Sequence, residues 1–399
     1  MTTVRVKFRP SKVLGYEGSV FYQVTHRRRT LQISTGIRLC PDDWDAVEGR
    51  VVGSGVRILL VRSKVEGDLC NIRRVAADLE HRCGAYSVED VVLMYRCSSA
   101  HLSFLAYIKS RVEALRLSGR DGTAANYERA LKSFKAFLCG VDISVASVTA
   151  DVIEAYEVYL AGRGIMRNSV SFYMRNLRSV YNKAVREGLA SQTLPFQYVY
   201  TGVDRTRKKA VTENVVVDLY KMTLPCGDQR LALARDMFVF SFCARGMAFV
   251  DMAFLKRSDV CGEYICYARK KTGQQLKVKV DSHIKDIINR YSCRGSKYVF
   301  PIITAESTSG AYHEYRKALN EYNRQLSRLA TRMQGVGKLS SYTARHSWAT
   351  IARDHDVPIS VISAGLGHSS EQTTRIYLAA LDNSVIDDAN EGILAALDR

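Results

Sequence analysis

The chain has no run of the ~20 consecutive apolar residues needed to cross a membrane as a helix, no Cys-x-x-Cys pair, no internal repeat and no low-complexity tract. The first absence removes helical membrane proteins from consideration. The second removes zinc ribbons and dithiol redox motifs, since even the nearest cysteines, Cys261 and Cys266, are too far apart for a zinc knuckle. The 10 cysteines fall mostly within apolar runs, as Cys243 does in Phe240-Ser241-Phe242-Cys243-Ala244, so reduced core thiols are expected rather than a disulfide frame. No Asp/Glu cluster of the kind that ligates a catalytic metal stands out. The opening Met1-Thr2-Thr3-Val4-Arg5-Val6-Lys7-Phe8-Arg9 alternates charge with apolar residues and lacks a signal-peptide core, so a cytoplasmic location is expected.

What is present is a globular balance, 47% hydrophobic and 25% charged, over 399 residues. That length predicts two or three domains at roughly 150 residues each. The net charge is +18. It is spread along the chain, with 16 basic against 11 acidic groups in 1–99, 13 against 9 in 100–204 and 29 against 20 in 205–399. The last stretch ends in an acidic tail, 382–399. A single basic tail would suggest a tether, whereas positive charge in every third suggests a long polyanion touched along the whole molecule.

Residues 1–50 read as strands: Val4, Val6 and Phe8 alternate with basic residues, followed by Val20, Tyr22 and Val24, then Leu31 and Ile33. Gly15, Gly18 and the cluster Arg27-Arg28-Arg29 are expected at the turns. A helix follows on Val61, Val65, Leu69, Ile72, Val75 and Leu79, and Ser87 to Asp90 reads as a further helix start. Between 100 and 190 the pattern predicts a bundle of four capped amphipathic helices, the later three starting at Thr123, Thr149 and Asn168. Residues 191–210, with Pro195, Gly202 and the run Arg205-Thr206-Arg207-Lys208-Lys209, read as an extended basic linker. From Thr212 onward the pattern is mostly helical, with a strand pair at 263–280.

Four islands in the last part carry chemistry. Ala244-Arg245-Gly246-Met247 follows the apolar stretch 237–243, and Phe242 and Phe249 flank Arg245, which is expected to be partly buried and to need an anionic partner. Tyr267-Ala268-Arg269-Lys270-Lys271-Thr272-Gly273-Gln274 places lysines at a hairpin tip, with Gly273 suited to the turn. In Ser341-Tyr342-Thr343-Ala344-Arg345-His346, Ser341 or Thr343 can cap a helix whose first turn holds Arg345, where free backbone N–H groups favour an anion. In Leu366-Gly367-His368-Ser369-Ser370-Glu371-Gln372, Ser369 and Gln372 form a capping-box pair, and Tyr377 lies about two turns into the helix that follows. Individually each has a bland reading: a surface arginine, a loop histidine, a half-buried tyrosine.

In series, these islands resemble the tyrosine recombinase (phage integrase) family, with its signature Arg…Lys…(His)-x-x-Arg…Gly-His…Tyr. The resemblance implies a mainly α fold with small β-sheets. Residues 1–90 would be an arm-site DNA-binding domain built on an antiparallel sheet. Residues 97–190 would be a four-helix, SAM-like core-site-binding domain, 191–210 the linker, and 211–399 a mixed α+β catalytic domain ending in the tail 382–399. It further implies that Arg245 and Arg345 grip the scissile phosphate, Lys271 protonates the leaving 5′ oxygen, His368 hydrogen-bonds the phosphate and Tyr377 attacks to form a 3′-phosphotyrosyl link. Double-stranded DNA with core and arm sites is the implied partner, with a homo-tetramer on paired sites proceeding through a Holliday junction. Accessory DNA-bending or directionality proteins are further implied partners. No metal or cofactor is called for. Arg27, Arg28, Arg29, Arg205, Arg207, Lys208 and Lys209 are the candidate DNA contacts.

The residue types suit that chemistry. Two guanidiniums match the oxygens of a pentavalent phosphorane and offset its growing charge. A phenol with a pKa near 10 is ionised in only about one molecule in a thousand at pH 7, so it must be deprotonated in place. One position departs from the family: Tyr342 stands where a histidine usually precedes the second arginine by three residues. Tyr342 and His346 are therefore both candidates for the general-base position. A Ser-Tyr-x-Ala-Arg-His version is similar to integrases of some bacterial mobile elements. Two rival readings are a type IB topoisomerase, which resembles the same series but would need no arm-binding sheet, and a DNA-binding protein with a decayed site, against which both arginines and Tyr377 argue.

Overall fold

The computed structural model describes residues 2–13, 15–82, 85–204, 210–225, 227–291, 295–368 and 370–378, with backbone alone for 98–102, 376 and 377. The chain divides into two compact units, Met1–Asp204 and Arg205–Arg399. It is mainly helical with small antiparallel sheets, and among the described residues no helix is long and apolar enough to cross a membrane.

The first unit opens with the antiparallel strands β1 (Thr2–Arg9), β2 (Gly18–His26) and β3 (Arg29–Leu39). Period-two alternation sets their faces: Val20, Tyr22, Val24 and Ile33 turn inward and are buried. Gly18 lies inside β2 rather than at a turn, where a Cβ would overlap the Phe8 ring. Arg27 and Arg28 form the two-residue loop between β2 and β3 with φ +46° and +67°. Positive φ at both positions is what a tight hairpin requires, although it costs non-glycine residues about 1–2 kcal/mol each. The loop leaves Arg27, Arg28 and Arg29 exposed at the sheet's tip.

After the short pair β4 (Trp44–Asp45) and β5 (Arg50–Val51) come α1 (Val56–Arg82) and α2 (Val88–Leu102). Ser87 caps α2 in a capping box with Asp90. Helix α1 serves two cores: Val61, Val65 and Ile72 pack under the sheet, whereas Leu60 joins the bundle. Gly67 lets α1 lie against the Ser144–Ser147 turn, where a Cβ would sit 1.9 Å from Ser147 Oγ.

The bundle comprises α3 (Phe104–Leu117), α4 (Asp121–Phe137), α5 (Ala150–Gly162) and α6 (Arg167–Arg186). Phe104, Phe134, Phe137 and Tyr156 meet at its centre with ring centroids 5.0–6.0 Å apart. Ser103 and Thr149 cap α3 and α5 as side-chain acceptors. Two expected starts shift. Helix α4 begins at Asp121, before Thr123, with no side-chain cap, and α6 begins at Arg167. Asn168 instead bonds both the N–H and the C=O of Asp204. That clasp belongs to a larger difference: 191–204, expected to be an open linker, packs on α6. Phe196 and Val199 are buried in the bundle core, and Ser171 donates to Gly202 O. Arg205, Arg207, Lys208 and Lys209 lie outside the described residues.

The second unit contains α7 (Glu213–Lys221), α8 (Gln229–Cys243) and α9 (Phe249–Ala253), then the sheet β6 (Val260–Cys261), β7 (Tyr264–Ala268) and β8 (Gln275–Lys279). It continues with α10 (Ser282–Tyr291), α11 (Thr308–Ala330), α12 (Thr343–Asp354), α13 (Ile359–Leu366) and α14 (Glu371–Leu378). Helix α8 is buried on most sides, with Met237, Phe238, Val239 and Phe240 all in one core with Leu326 and Leu329 of α11. The tail 382–399 lies outside the described residues.

The cysteines correct one expectation. Cys40, Cys70, Cys97, Cys139, Cys261 and Cys266 are free and exposed, and only Cys243 among the described free thiols is partly covered. In β7, for example, Cys266 faces outward between the buried Ile265 and Tyr267.

Candidate active site

Helix α8 ends in a turn that builds the first wall of the site. Gly246 N donates to Ser241 O at 2.7 Å, and Ser241 Oγ donates to Met247 O at 2.8 Å. Arg245 and Gly246 both take left-handed conformations there, with φ +57° and +71°. For arginine this is a strained backbone, of the kind that concentrates at functional sites. Contrary to the expectation of partial burial, Arg245 is exposed. The turn swings it away from the Phe242 and Phe249 packing, and its one described acceptor, Lys277 O, is 3.5 Å from Nη1.

Gly246 is bare because Arg345 lies on it. A Cβ there would stand 2.8 Å from Arg345 Cγ and 2.9 Å from its Cα. Arg345, in the first turn of α12, is 4% exposed. Its Nη1 donates to Gly246 O at 2.8 Å, and its Nη2 donates to Leu366 O at 2.6 Å and lies 3.2 Å from His368 Nε2. The start of α12 is made differently from expectation. Tyr342 occupies the cap position with no side-chain bond, while Thr343 Oγ1 accepts from Ser340 N.

His368 follows Gly367, which caps α13 in the left-handed conformation. Its Nδ1 is 2.8 Å from Oγ1 of Thr374, a fully buried residue of α14. Burial, then the charges of Arg345, Arg269 and Lys271, push the imidazole down to about 4, so it is neutral at pH 7. Nε2 faces the Arg345 donor and Nδ1 faces Thr374 Oγ1, a hydroxyl that accepts from Nδ1–H in one tautomer and donates to Nδ1 in the other. Helix α14 starts three residues after His368 and carries Tyr377 in its second turn. The Ser369 half of the expected capping box lies outside the described residues.

The hairpin supplies the third wall. Arg269 N donates to Gln274 O, and Gly273 N, with Gly273 at φ +73°, donates to Arg269 O. Lys271 is exposed in the turn between them. Lys270 points elsewhere: its Nζ lies 4.3 Å from the centre of the Phe254 ring, and its N–H donates to Asp251 Oδ1 at 2.8 Å. Asp251 is 4% exposed, and burial pushes its carboxyl up against the opposing pull of the Lys270 N–H and the Arg269 and Arg345 charges. Tyr267 of β7 is likewise pushed up by burial and by Asp251, while Arg345, Arg269 and Arg245 pull the other way.

Arg345 and His368 are thus in direct contact, the Lys271 charge reaches His368, and Arg245 is joined through Gly246 to Arg345. Tyr342 is 53% exposed and faces the His346 ring at 6.2 Å between centroids. Arg27, Arg28 and Arg29 belong to the first unit. Sequence reasoning passed over Asp251, Arg269, Gly246 and Thr374. Gly246 and Arg269 lay inside the quoted islands, but nothing in spacing alone distinguishes a buried arginine at a hairpin base from an exposed one at its tip.

A family model described as the phage integrase SAM-like domain matches residues 103–198, and one described as the phage integrase family matches 210–384. The tyrosine recombinase XerD of Pseudomonas aeruginosa is 22% identical over 64% of this chain and 86% of its own. The XerD of Rhizobium meliloti is 24% identical over 71% and 93%. The Tn1549 transposon integrase, solved in complex with circular intermediate DNA, shares the fold with a TM-score of 0.51, at 14% identity over 73% of this chain and 99% of that one. With two matched segments that together span most of the chain, a fold shared with a transposon integrase and the arginine, histidine and tyrosine series gathered in the second unit, the chain belongs to the phage integrase family, the tyrosine recombinases.

Proposed function

We propose that this enzyme is a mobile-element integrase that recombines two DNA sites through a 3′-phosphotyrosyl intermediate and a Holliday junction, as a tetramer on paired sites in the cytoplasm. The reading is supported above all by the contact between Arg345 and His368 just ahead of the helix that bears Tyr377, with Arg245 adjoining Gly246, whose carbonyl Arg345 holds. Cleavage begins when Arg345 and Arg245 take up the two non-bridging oxygens of the scissile phosphate. Arg345 is held rigid by two carbonyl acceptors, whereas Arg245 is held at the limit of one. Arg345 therefore acts as the preorganised donor and Arg245 closes on the phosphate as it arrives. His368 meets a phosphate oxygen through Nε2. Because Thr374 Oγ1 can donate as well as accept, it stabilises the tautomer with its proton on Nε2.

Tyr377 Oη forms the bond to phosphorus, its proton passing to the His346 imidazole or, relayed through the Tyr342 hydroxyl, to water. The P–O5′ bond breaks, and Lys271 Nζ protonates the leaving oxygen. The phosphotyrosyl bond keeps the phosphodiester energy, so the reverse attack by a 5′ hydroxyl of the partner duplex rejoins the strands. We assign core-site binding to the helical bundle and arm-site binding to the sheet with its Arg27, Arg28 and Arg29 tip; Arg205, Arg207, Lys208 and Lys209, in the segment that follows the bundle in sequence, would contact the DNA backbone. Accessory DNA-bending or directionality proteins would act with them on paired sites. Duplexes selected for binding from a random pool, paired and incubated with the protein, test the proposal. Exchanged duplexes and four-way junctions are expected. Relaxation of a supercoiled plasmid with no exchange between sites would replace the proposal with a topoisomerase.

A further inference from the structure

The buried Arg269 is used by neither the grip on phosphate nor the nucleophile, yet it touches three parts of the site. Its side chain is 8% exposed. Nη1 donates to Gly367 O at 2.5 Å, the residue before His368. Nε stands 3.9 Å from Asp251 Oδ2 in α9, and the opposite oxygen of that carboxylate accepts Lys270 N–H. Its own N–H and C=O close the 269–274 turn that presents Lys271 two residues later. The fit is tight at Gly367, where a Cβ would stand 2.9 Å from Arg269 Cδ. One guanidinium therefore spans the hairpin, α9 and the loop that carries His368.

We propose that Arg269 is a positioning residue for DNA cleavage: it clamps the base of the hairpin to the Gly367–His368 loop so that Lys271 is delivered to the leaving 5′ oxygen on the same frame that holds the phosphate. A hairpin tip is otherwise a mobile element, and an acid displaced by an ångström loses much of its effect. Lysine in place of Arg269 would keep the charge but lose the planar fork that reaches Gly367 and Asp251 together. The proposal rests on Lys271 being the acid in the reaction above, and its test separates the two.

The experiment compares cleavage of a nicked core-site duplex with that of the same duplex carrying sulfur in place of the bridging 5′ oxygen, a leaving group that needs no acid. Wild type, Lys271→Ala, Arg269→Met and Arg269→Lys are used, with DNA affinity measured for each. Arg269→Met is expected to slow cleavage of the oxygen duplex by ~10²-fold and to recover most of that loss on sulfur, in parallel with Lys271→Ala, with affinity within about twofold. Arg269→Lys is expected to show a smaller loss with the same recovery, and it provides the reading if Arg269→Met does not fold. Recovery of Lys271→Ala without recovery of the Arg269 variants would overturn the clamp, as would unchanged cleavage of the oxygen duplex. Failure of Lys271→Ala itself to recover would overturn the acid assignment on which the clamp depends.

Discussion

Replacing Gly246 by alanine probes the point where the two arginine walls meet. The backbone there has φ +71°, and the new Cβ would lie 2.8 Å from Arg345 Cγ and 2.9 Å from its Cα. The left-handed conformation alone costs alanine about 1–2 kcal/mol. Overpacking against the backbone of α12, which cannot rotate aside, adds about 1–3 kcal/mol. Gly262→Ala is the control: its φ is +59° and nothing lies within 4 Å of its Cβ, so it carries the first cost without the second. In a unit of this size each kcal/mol lowers the melting temperature by about 2–4 °C. Gly246→Ala is thus expected to melt several degrees below Gly262→Ala. It should also cleave nicked duplex on the order of 10²-fold more slowly, because Arg345 loses its 2.8 Å bond to Gly246 O along with its position. The assays are thermal melting and adduct formation on denaturing gels. Equal melting and equal cleavage in the two variants would refute the argument that Gly246 is there to admit Arg345.

Other outcomes follow from the same geometry. Arg345→Ala and Arg245→Ala should each reduce cleavage by ~10²–10³ or more, but only Arg345→Ala should also lower the melting temperature, because Arg345 alone is buried and bonded to two carbonyls. Tyr342→Phe and His346→Ala, assayed separately for cleavage, assign the general base: loss in one and full activity in the other identifies it, and Tyr342→His is expected to be tolerated or mildly activating if Tyr342 holds the position. His368 has a folded-state pKa of about 4 against an ordinary 6.5, so the unfolded chain binds the extra proton between those values. Its contribution to stability is full above pH 6.5 and is lost as pH falls toward 4. Discounted for its partial exposure, that amounts to about 1 kcal/mol. Melting at pH 7 and pH 4.5 should therefore fall more in wild type than in His368→Gln, and an equal fall would contradict the assigned burial.

The sequence made the α-helical skeleton legible because helix signals are local. Ser87 and Thr149 cap the helices that their spacing suggests, and the alternation of Val20, Tyr22 and Val24 sets the sheet's inner face. What failed depended on contacts distant in sequence. Asn168 looked like a cap but clasps Asp204, thirty-six residues away, and the 191–204 segment looked open because two apolar anchors, Phe196 and Val199, are too few to show periodicity. In the site, residue types and order are enough to nominate Arg245, Arg345, His368 and Tyr377. The burial of Arg345, the exposure of Arg245 and the roles of Arg269 and Asp251 depend on how turns from four elements meet, which no spacing encodes. Lys270 and Lys271 are chemically equal in the sequence. Phe254 and Asp251 separate them by occupying the first.

In the proposed reaction Tyr377 becomes covalently joined to DNA. The direct measurement traps the wild-type protein on a duplex nicked beside the cleavage site, digests it and sequences the nucleotide-bearing peptide by mass spectrometry. A single phosphotyrosyl peptide containing Tyr377 is expected, and a Tyr377→Phe protein should bind the duplex with wild-type affinity and form no adduct. An adduct on another residue, or one that persists in Tyr377→Phe, would contradict that reaction.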